Sequence, residues 1–399
     1  MKFNGLIRLK VNDFLQLKCL GFIGTGCYIF SRIAYALNFK NSAVEFLLRS
    51  IRYSYLPSSQ ALLSRMVNQD GLRLIDHVSR PAVEKDAVGR AIILSPPQQD
   101  GEKVIKGVIL LTFTHTFSFF LKHPKWEKLN KYFLFVLEPS WAGYADPDII
   151  AFLQEAEHCI LQASEVRDRS FVNGLFPHVP CMETGASNWV DERLFTEGSS
   201  ELDGKEYDSI YIANLTPFKR VLKAIKFASI VKQKDPDYKM AIVCASWGGV
   251  NKDVLLKYSR KLGVEENVVI YKGMKQAKLV ELVRKAKCSI LLTLKEGSNR
   301  VLFESMFVNV PVICISENIG VNKSYINAET GVLTTDKLVP NALIYMSKNY
   351  TNYRPKFWAL DNISADKTTS YLSSLIESWF PGQINTNLFV KVNSPEVGY

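Results

Sequence analysis

From residue 209 to residue 315 the chain repeats one pattern: a short apolar run, a polar turn, then a stretch whose apolar positions recur at helical spacing. The pattern predicts strands over 209–213, 240–244, 268–271, 289–293 and 312–315, with helices over 221–233, 253–262, 275–286 and 301–308 between them. The strand runs are continuously apolar, as in Ile290-Leu291-Leu292, which suits strands covered on both faces of a parallel sheet. Five strands with four crossover helices make an open α/β domain.

A looser version of the same rhythm runs ahead of it. Apolar runs at 90–94, 107–113, 132–137 and 159–162 each end in polar or Pro-containing turns, which predicts a second parallel α/β sheet. Residues 1–85 read as mainly helical, with a break at Leu56-Pro57-Ser58-Ser59. The expected domains are therefore a helical region over 1–85, a first Rossmann-like domain over 86–197, a polar linker over 198–207 and a second Rossmann-like domain over 208–380. The remaining 381–399 form a tail that can return to the first domain.

Composition narrows the class of partner. The 399 residues are 47% hydrophobic and 22% charged, a globular balance, and the formal charge is +10. A basic surface of this kind suits an anionic partner. Nucleic acid is not expected, because no zinc-finger spacing and no aromatic-flanked RNA motif is present. The seven cysteines are scattered and mostly within apolar runs, so they read as core residues of a reducing compartment. No signal peptide is read, and residues 19–31 are too short an apolar stretch to span a bilayer. Through residue 56, eight Lys or Arg (Lys2, Arg8, Lys10, Lys18, Arg32, Lys40, Arg49 and Arg52) stand against Asp13 and Glu45, a local balance of +6. That region can lie on an anionic membrane face; the plainer alternative is a helical cap with a solvated basic side. The expected location is cytoplasmic, or peripheral at the inner membrane face.

Candidate chemistry collects at predicted strand ends. Asn214-Leu215-Thr216-Pro217-Phe218-Lys219-Arg220 follows the first strand of the second domain and opens a helix, where two cations and free backbone N–H groups suit a diphosphate. Glu296 ends another strand. Glu304 falls eight positions later in a helix with apolar Val301, Leu302, Met306 and Phe307 around it, so it is expected to face inward and to need a partner such as a ribose diol. The plainer alternative is an Arg300–Glu304 surface pair, worth about 0.2–0.5 kcal/mol. In the first domain His115 ends one strand and Glu138 the next, with Trp141 three residues on. Either is a candidate to meet a sugar hydroxyl. Asp146-Pro147-Asp148 reads as a helix start and not as a metal site.

Taken in order, residues 208–335 resemble the donor-binding half of the retaining GT-B glycosyltransferases of family 4. Glu296-Gly297-Ser298-Asn299-Arg300-Val301-Leu302-Phe303-Glu304 is similar to that family's Glu-x7-Glu motif. Ser187-Asn188-Trp189-Val190-Asp191 and Glu329-Thr330-Gly331-Val332-Leu333 resemble segments before and after it. The resemblance implies a GT-B fold, two Rossmann-like domains facing across a cleft. It implies sugar transfer from a nucleoside-diphosphate sugar to a glycan or lipid-linked acceptor, with retention and without a metal or resident cofactor. Lys219 would meet the donor phosphates with Arg220 and Asn214 nearby; Glu296 would hold the donor sugar, and Glu304 the ribose. Ser298, Asn299 and Arg300 would complete the donor loop. Asn214 stands where the family usually has an arginine, Trp189 where it has a glycine, and Glu138 where it has a histidine. The competing readings are a sugar-nucleotide epimerase, an inverting transferase on the same fold, and a glycan-binding or assembly subunit that has lost catalysis.

Overall fold

The computed structural model describes residues 11, 14, 15, 19–78, 87–196, 204–247 and 250–393. Lys2, Arg8, Lys10, Lys18 and residues 198–203 of the polar stretch lie outside them. Contacts divide the described residues into two units. One takes the described residues of 19–186 and 368–393; the other takes residues 11, 14 and 15 with those of 187–367. The chain thus changes unit ahead of the polar stretch and returns inside the helix Ala365–Trp379.

The first unit opens with helices Leu20–Ala36, Lys40–Ser54 and Pro57–Asn68. Leu20–Ala36 packs on Lys40–Ser54 through its small residues Gly24, Ser31 and Ala34. The Ser31 hydroxyl donates to the Ala43 carbonyl at 2.8 Å. At Gly24 a Cβ would overlap the Ser54 side chain, so only glycine permits this approach. Tyr55, in the left-handed region at φ 51, ends the second helix and donates its hydroxyl to the buried Asp168. Asp168 also accepts from Gly143 N at 2.8 Å and Tyr144 N at 3.2 Å. Burial pushes its carboxyl up, and these donors offset part of that shift. One buried carboxylate therefore fastens the helical region to a loop of the sheet.

That sheet has the order β1-β4-β5-β6-β7, with β1 Ala91–Ser95, β4 Gly107–Thr112, β5 Phe133–Glu138, β6 Cys159–Gln162 and β7 Cys181–Met182. A separate hairpin, β2 Gln98–Asp100 and β3 Lys103–Ile105, joins β1 to β4. The expectation of an all-parallel sheet needs correction at one edge: β1 runs antiparallel to β4. An apolar run reads the same in either direction, and the two-stranded hairpin supplies the reversal. Returning to this unit, the tail donates Asn385 N to the Lys106 carbonyl at 2.7 Å and Phe389 N to the Leu94 carbonyl at 2.7 Å.

In the other unit the strands are β8 Ser209–Asn214, β9 Met240–Ala245, β10 Val268–Lys272, β11 Ser289–Leu291, β12 Val312–Ile315 and β13 Gly331–Thr334. All pairings among them are parallel, in the order β10-β9-β8-β11-β12-β13. Side chains alternate between two buried faces: Met240, Ile242 and Cys244 enter one core, Ala241 and Val243 the other. This explains the unbroken apolar runs. Strand order reverses between β8 and β11, the point at whose carboxyl edge open α/β sheets take ligands.

β13 pairs with β12 through Gly331 opposite Val312. A Cβ on Gly331 would overlap the Val312 backbone carbonyl, which cannot yield as a side chain can. Gly331→Ala is therefore expected to lower stability by about 1–3 kcal/mol, read as a fall in the urea midpoint at unchanged m-value.

Candidate active site at the strand-order reversal

The loop after β8 is built to project Lys219. Asn214 Oδ1 accepts from Thr216 N at 3.3 Å and from Thr216 Oγ1 at 2.6 Å, turning the chain sharply off the strand. Pro217–Lys219 form a single 3₁₀ turn, and the buried Tyr211 hydroxyl donates to the Lys219 carbonyl. Arg220 then adopts φ 56, a left-handed conformation unusual for a side-chain-bearing residue, before the helix Val221–Lys232 begins. The Lys219 ammonium leaves this turn to meet Glu296 Oε1 at 2.5 Å.

Glu296 is equally constrained. Its amide donates to the Ile319 carbonyl at 2.8 Å, and Ile319 N donates to Leu294 O at 2.9 Å, so two loops clasp each other beyond β11. Asn299 lies 3.4 Å from the Glu296 carboxylate through Nδ2. Its Oδ1 accepts from Leu302 N at 2.9 Å, capping helix Arg300–Phe307. Ser298 turns to Ser187, accepting from Ser187 N at 3.0 Å and donating to Ser187 Oγ at 2.6 Å. Lys219, Glu296 and Asn299 thus form one polar cluster at the strand-order reversal.

Glu304 faces inward beside Ile212, Leu279, Val280 and Val301, next to a cavity of about 10 Å³. Arg300 Nε approaches it at 3.6 Å from a half-exposed position. Burial pushes the Glu304 carboxyl up, and Arg300 offsets only part of that shift. The i,i+4 pair and the inward orientation coexist.

Arg220 departs from the expectation of a phosphate contact. Its side chain is fully buried, with Nη1 donating to Leu292 O at 2.7 Å and Nη2 to Asp336 Oδ2 at 2.9 Å. Lys223 also meets Asp336. A guanidinium in that setting shapes the loop and does not offer its charge to a ligand. Asp336, just past β13, had no signal in the sequence beyond its place at a strand end. Burial opposes its ionisation, yet the bonds from Arg220 and Lys223 prevail and hold its carboxyl below the ordinary range.

In the first unit, Thr112 of β4 pairs with Glu138 of β5, so both strands end at one edge. Glu138 is buried and bonded to Lys391 of the tail at 2.7 Å. His115 is exposed on the turn after β4, its ring 5.9 Å from that of Phe113. Lys391 is a neighbour that the sequence pattern did not indicate.

Residues 193–345 match the model of the family described as glycosyl transferases group 1. No curated protein matches the chain. Among solved structures, TarM of S. aureus aligns at 16% identity and a TM-score of 0.54, covering 68% of this chain and 54% of TarM. This chain therefore spans about half the length of TarM. Anabaena HepE, solved in complex with UDP, aligns at 14% identity and a TM-score of 0.52, over 67% of this chain and 78% of HepE. The sucrose-phosphate synthase of Thermosynechococcus elongatus aligns at 12% identity and a TM-score of 0.51, over 68% and 73%. These likenesses establish the fold: two Rossmann-like sheets of the GT-B class with a helical region ahead of them.

Asp336→Asn leaves a buried guanidinium without its counter-charge and is expected to cost about 3–5 kcal/mol in chemical denaturation. The pH dependence has a defined sign. A carboxyl held below its ordinary value of 3.8 contributes stability that is complete above that pH and is lost as the pH falls toward the folded-state value. The variant should therefore show a shallower loss of stability below pH 3.8 than the wild type.

Proposed function

We propose that this chain, whose residues 193–345 match the glycosyl transferases group 1 model, moves a sugar from a nucleoside-diphosphate sugar to a glycan or lipid-linked acceptor, with retention of anomeric configuration. The observation that carries the reading is the Lys219–Glu296 pair at the strand-order reversal, 2.5 Å apart and beside the start of helix Val221–Lys232. An ammonium has three donors, so Lys219 can keep Glu296 and still donate to a diphosphate. As the bond from the sugar to the diphosphate breaks, negative charge grows on the leaving group. Lys219 and the positive end of the helix Val221–Lys232 stabilise that charge, in place of a divalent metal. The acceptor hydroxyl forms its new bond on the face that the diphosphate vacates, and its proton passes to the departing phosphate oxygen.

The two carboxylates divide the rest of the donor. Glu296, with Asn299, would bind sugar hydroxyls. Glu304 would accept from the ribose diol, whose donors suit a carboxylate that burial otherwise penalises. Arg220 acts through Lys219: its bonds to Leu292 and Asp336 set the turn from which the ammonium projects. In the first unit His115 and Glu138 stand at the carboxyl edge of their own sheet, the edge at which such sheets take ligands. We assign them to the acceptor side, with Lys391 holding Glu138 in place. HepE was solved with UDP, which supports a nucleoside diphosphate as the leaving group here.

A thermal-shift series with uridine, guanosine, cytidine and thymidine diphosphates should give one clear responder, raised by mass action. A sugar nucleotide on that base should release its diphosphate on turnover, and the product should keep the donor's anomeric configuration. Lys219→Ala should lower turnover by about 10²–10³-fold with an unchanged circular dichroism spectrum. No responder, or full turnover by the variant, would overturn the proposal. Sugar conversion without any acceptor would point to epimerisation instead.

A further inference from the structure

The helix Leu20–Ala36 is amphipathic in an inverted sense. Its buried residues are the small ones, Gly24, Ser31 and Ala34, while Phe22 is 83% exposed and Ile29, Phe30 and Ile33 are each about half exposed. Positions 22, 29, 30 and 33 follow the i, i+7, i+8, i+11 spacing of a single helix face. The exposed surface continues through Leu37 and Phe39 at the hairpin turn. A soluble helix ordinarily turns its large side chains inward, and a contiguous apolar face of this kind marks a site of contact. Close packing at Gly24 sets which side of the helix meets the hairpin, and Phe30 reaches Phe46 at its edge, ring centroids 5.8 Å apart, while staying more than half exposed.

Charge identifies the contact. Arg32 is the sole charged residue of this helix, and it lies to one side of the apolar face, with Lys40 following the turn. Residues 1–56 carry a local balance of +6. Among the described residues no helix is long and apolar enough to cross a membrane. The 17 residues of this one instead extend about 25 Å along their axis, enough to lie in an interface. We propose that the exposed face of Leu20–Ala36 seats the protein on an anionic lipid bilayer, with Phe22, Ile29, Phe30 and Ile33 entering the acyl boundary and Arg32 and Lys40 at the headgroups. Insertion, and not charge alone, supplies the attachment. It does not depend on the donor reading, since it needs neither a nucleotide nor Lys219.

The test is co-sedimentation of the full chain with vesicles of phosphatidylcholine mixed with phosphatidylglycerol, without any nucleotide. Wild type should bind, and high salt should weaken the binding without abolishing it. The Phe22→Ser/Ile33→Ser variant, which spares the Phe30–Phe46 ring contact, should partition about ten-fold or more weakly while keeping the wild-type melting temperature, as befits an exposed face. Equal binding by the variant, or no binding by wild type, overturns the proposal. So does a variant with a clearly lowered melting temperature, which would mean that the chain itself covers the face. A wild-type dimer in lipid-free solution that the variant dissociates would assign the face to a second copy and equally overturn it.

Discussion

A single buried guanidinium organises the mouth of the second sheet. Arg220 reaches from the loop after β8 to the Leu292 carbonyl beyond β11 and to Asp336 beyond β13, so one side chain ties three strand ends together. Its left-handed backbone is held by these bonds and by the Tyr211 hydroxyl on the preceding carbonyl. A full charge can be buried there because Asp336 and a backbone oxygen satisfy it. With Arg220 turned inward, Lys219 is directed to Glu296, and the site inherits its geometry from a residue that does not itself reach a ligand.

Much of this was legible in the sequence because a parallel sheet covered on both faces writes its strands as unbroken apolar runs. Ile290-Leu291-Leu292 is one, and Glu296 follows it at the position expected for a strand-end group. What remained hidden depends on distant partners. Lys219 and Arg220 are adjacent cations in sequence, and which of them turns inward is decided by Asp336, 116 positions away from Arg220. Glu138 is likewise completed by Lys391, 253 positions on. β13 escaped notice because it is four residues long, begins with glycine and is partly exposed.

The helical region shows a different limit. Its charge balance and apolar stretch were evident, but a sequence pattern does not tell which side of an apolar helix is buried. The choice is made by Gly24, Ser31 and Ala34, small enough for Lys40–Ser54 to approach, which leaves the aromatic and branched side chains outside. Under the proposed function, attachment to a bilayer by that face would bring a lipid-linked acceptor into two dimensions and raise its effective concentration near this chain. Donor chemistry and acceptor supply would then reside on separate parts of the chain.

The division of labour between cation and carboxylate is tested most directly by calorimetric titration of the preferred nucleoside diphosphate and of its sugar-carrying form into three proteins: wild type, Lys219→Met and Glu296→Gln. Lys219→Met should weaken both ligands by about ten-fold or more, the loss of one charge-assisted contact. Glu296→Gln should weaken only the sugar-carrying form. Wild-type affinity of Lys219→Met for both ligands would contradict the account.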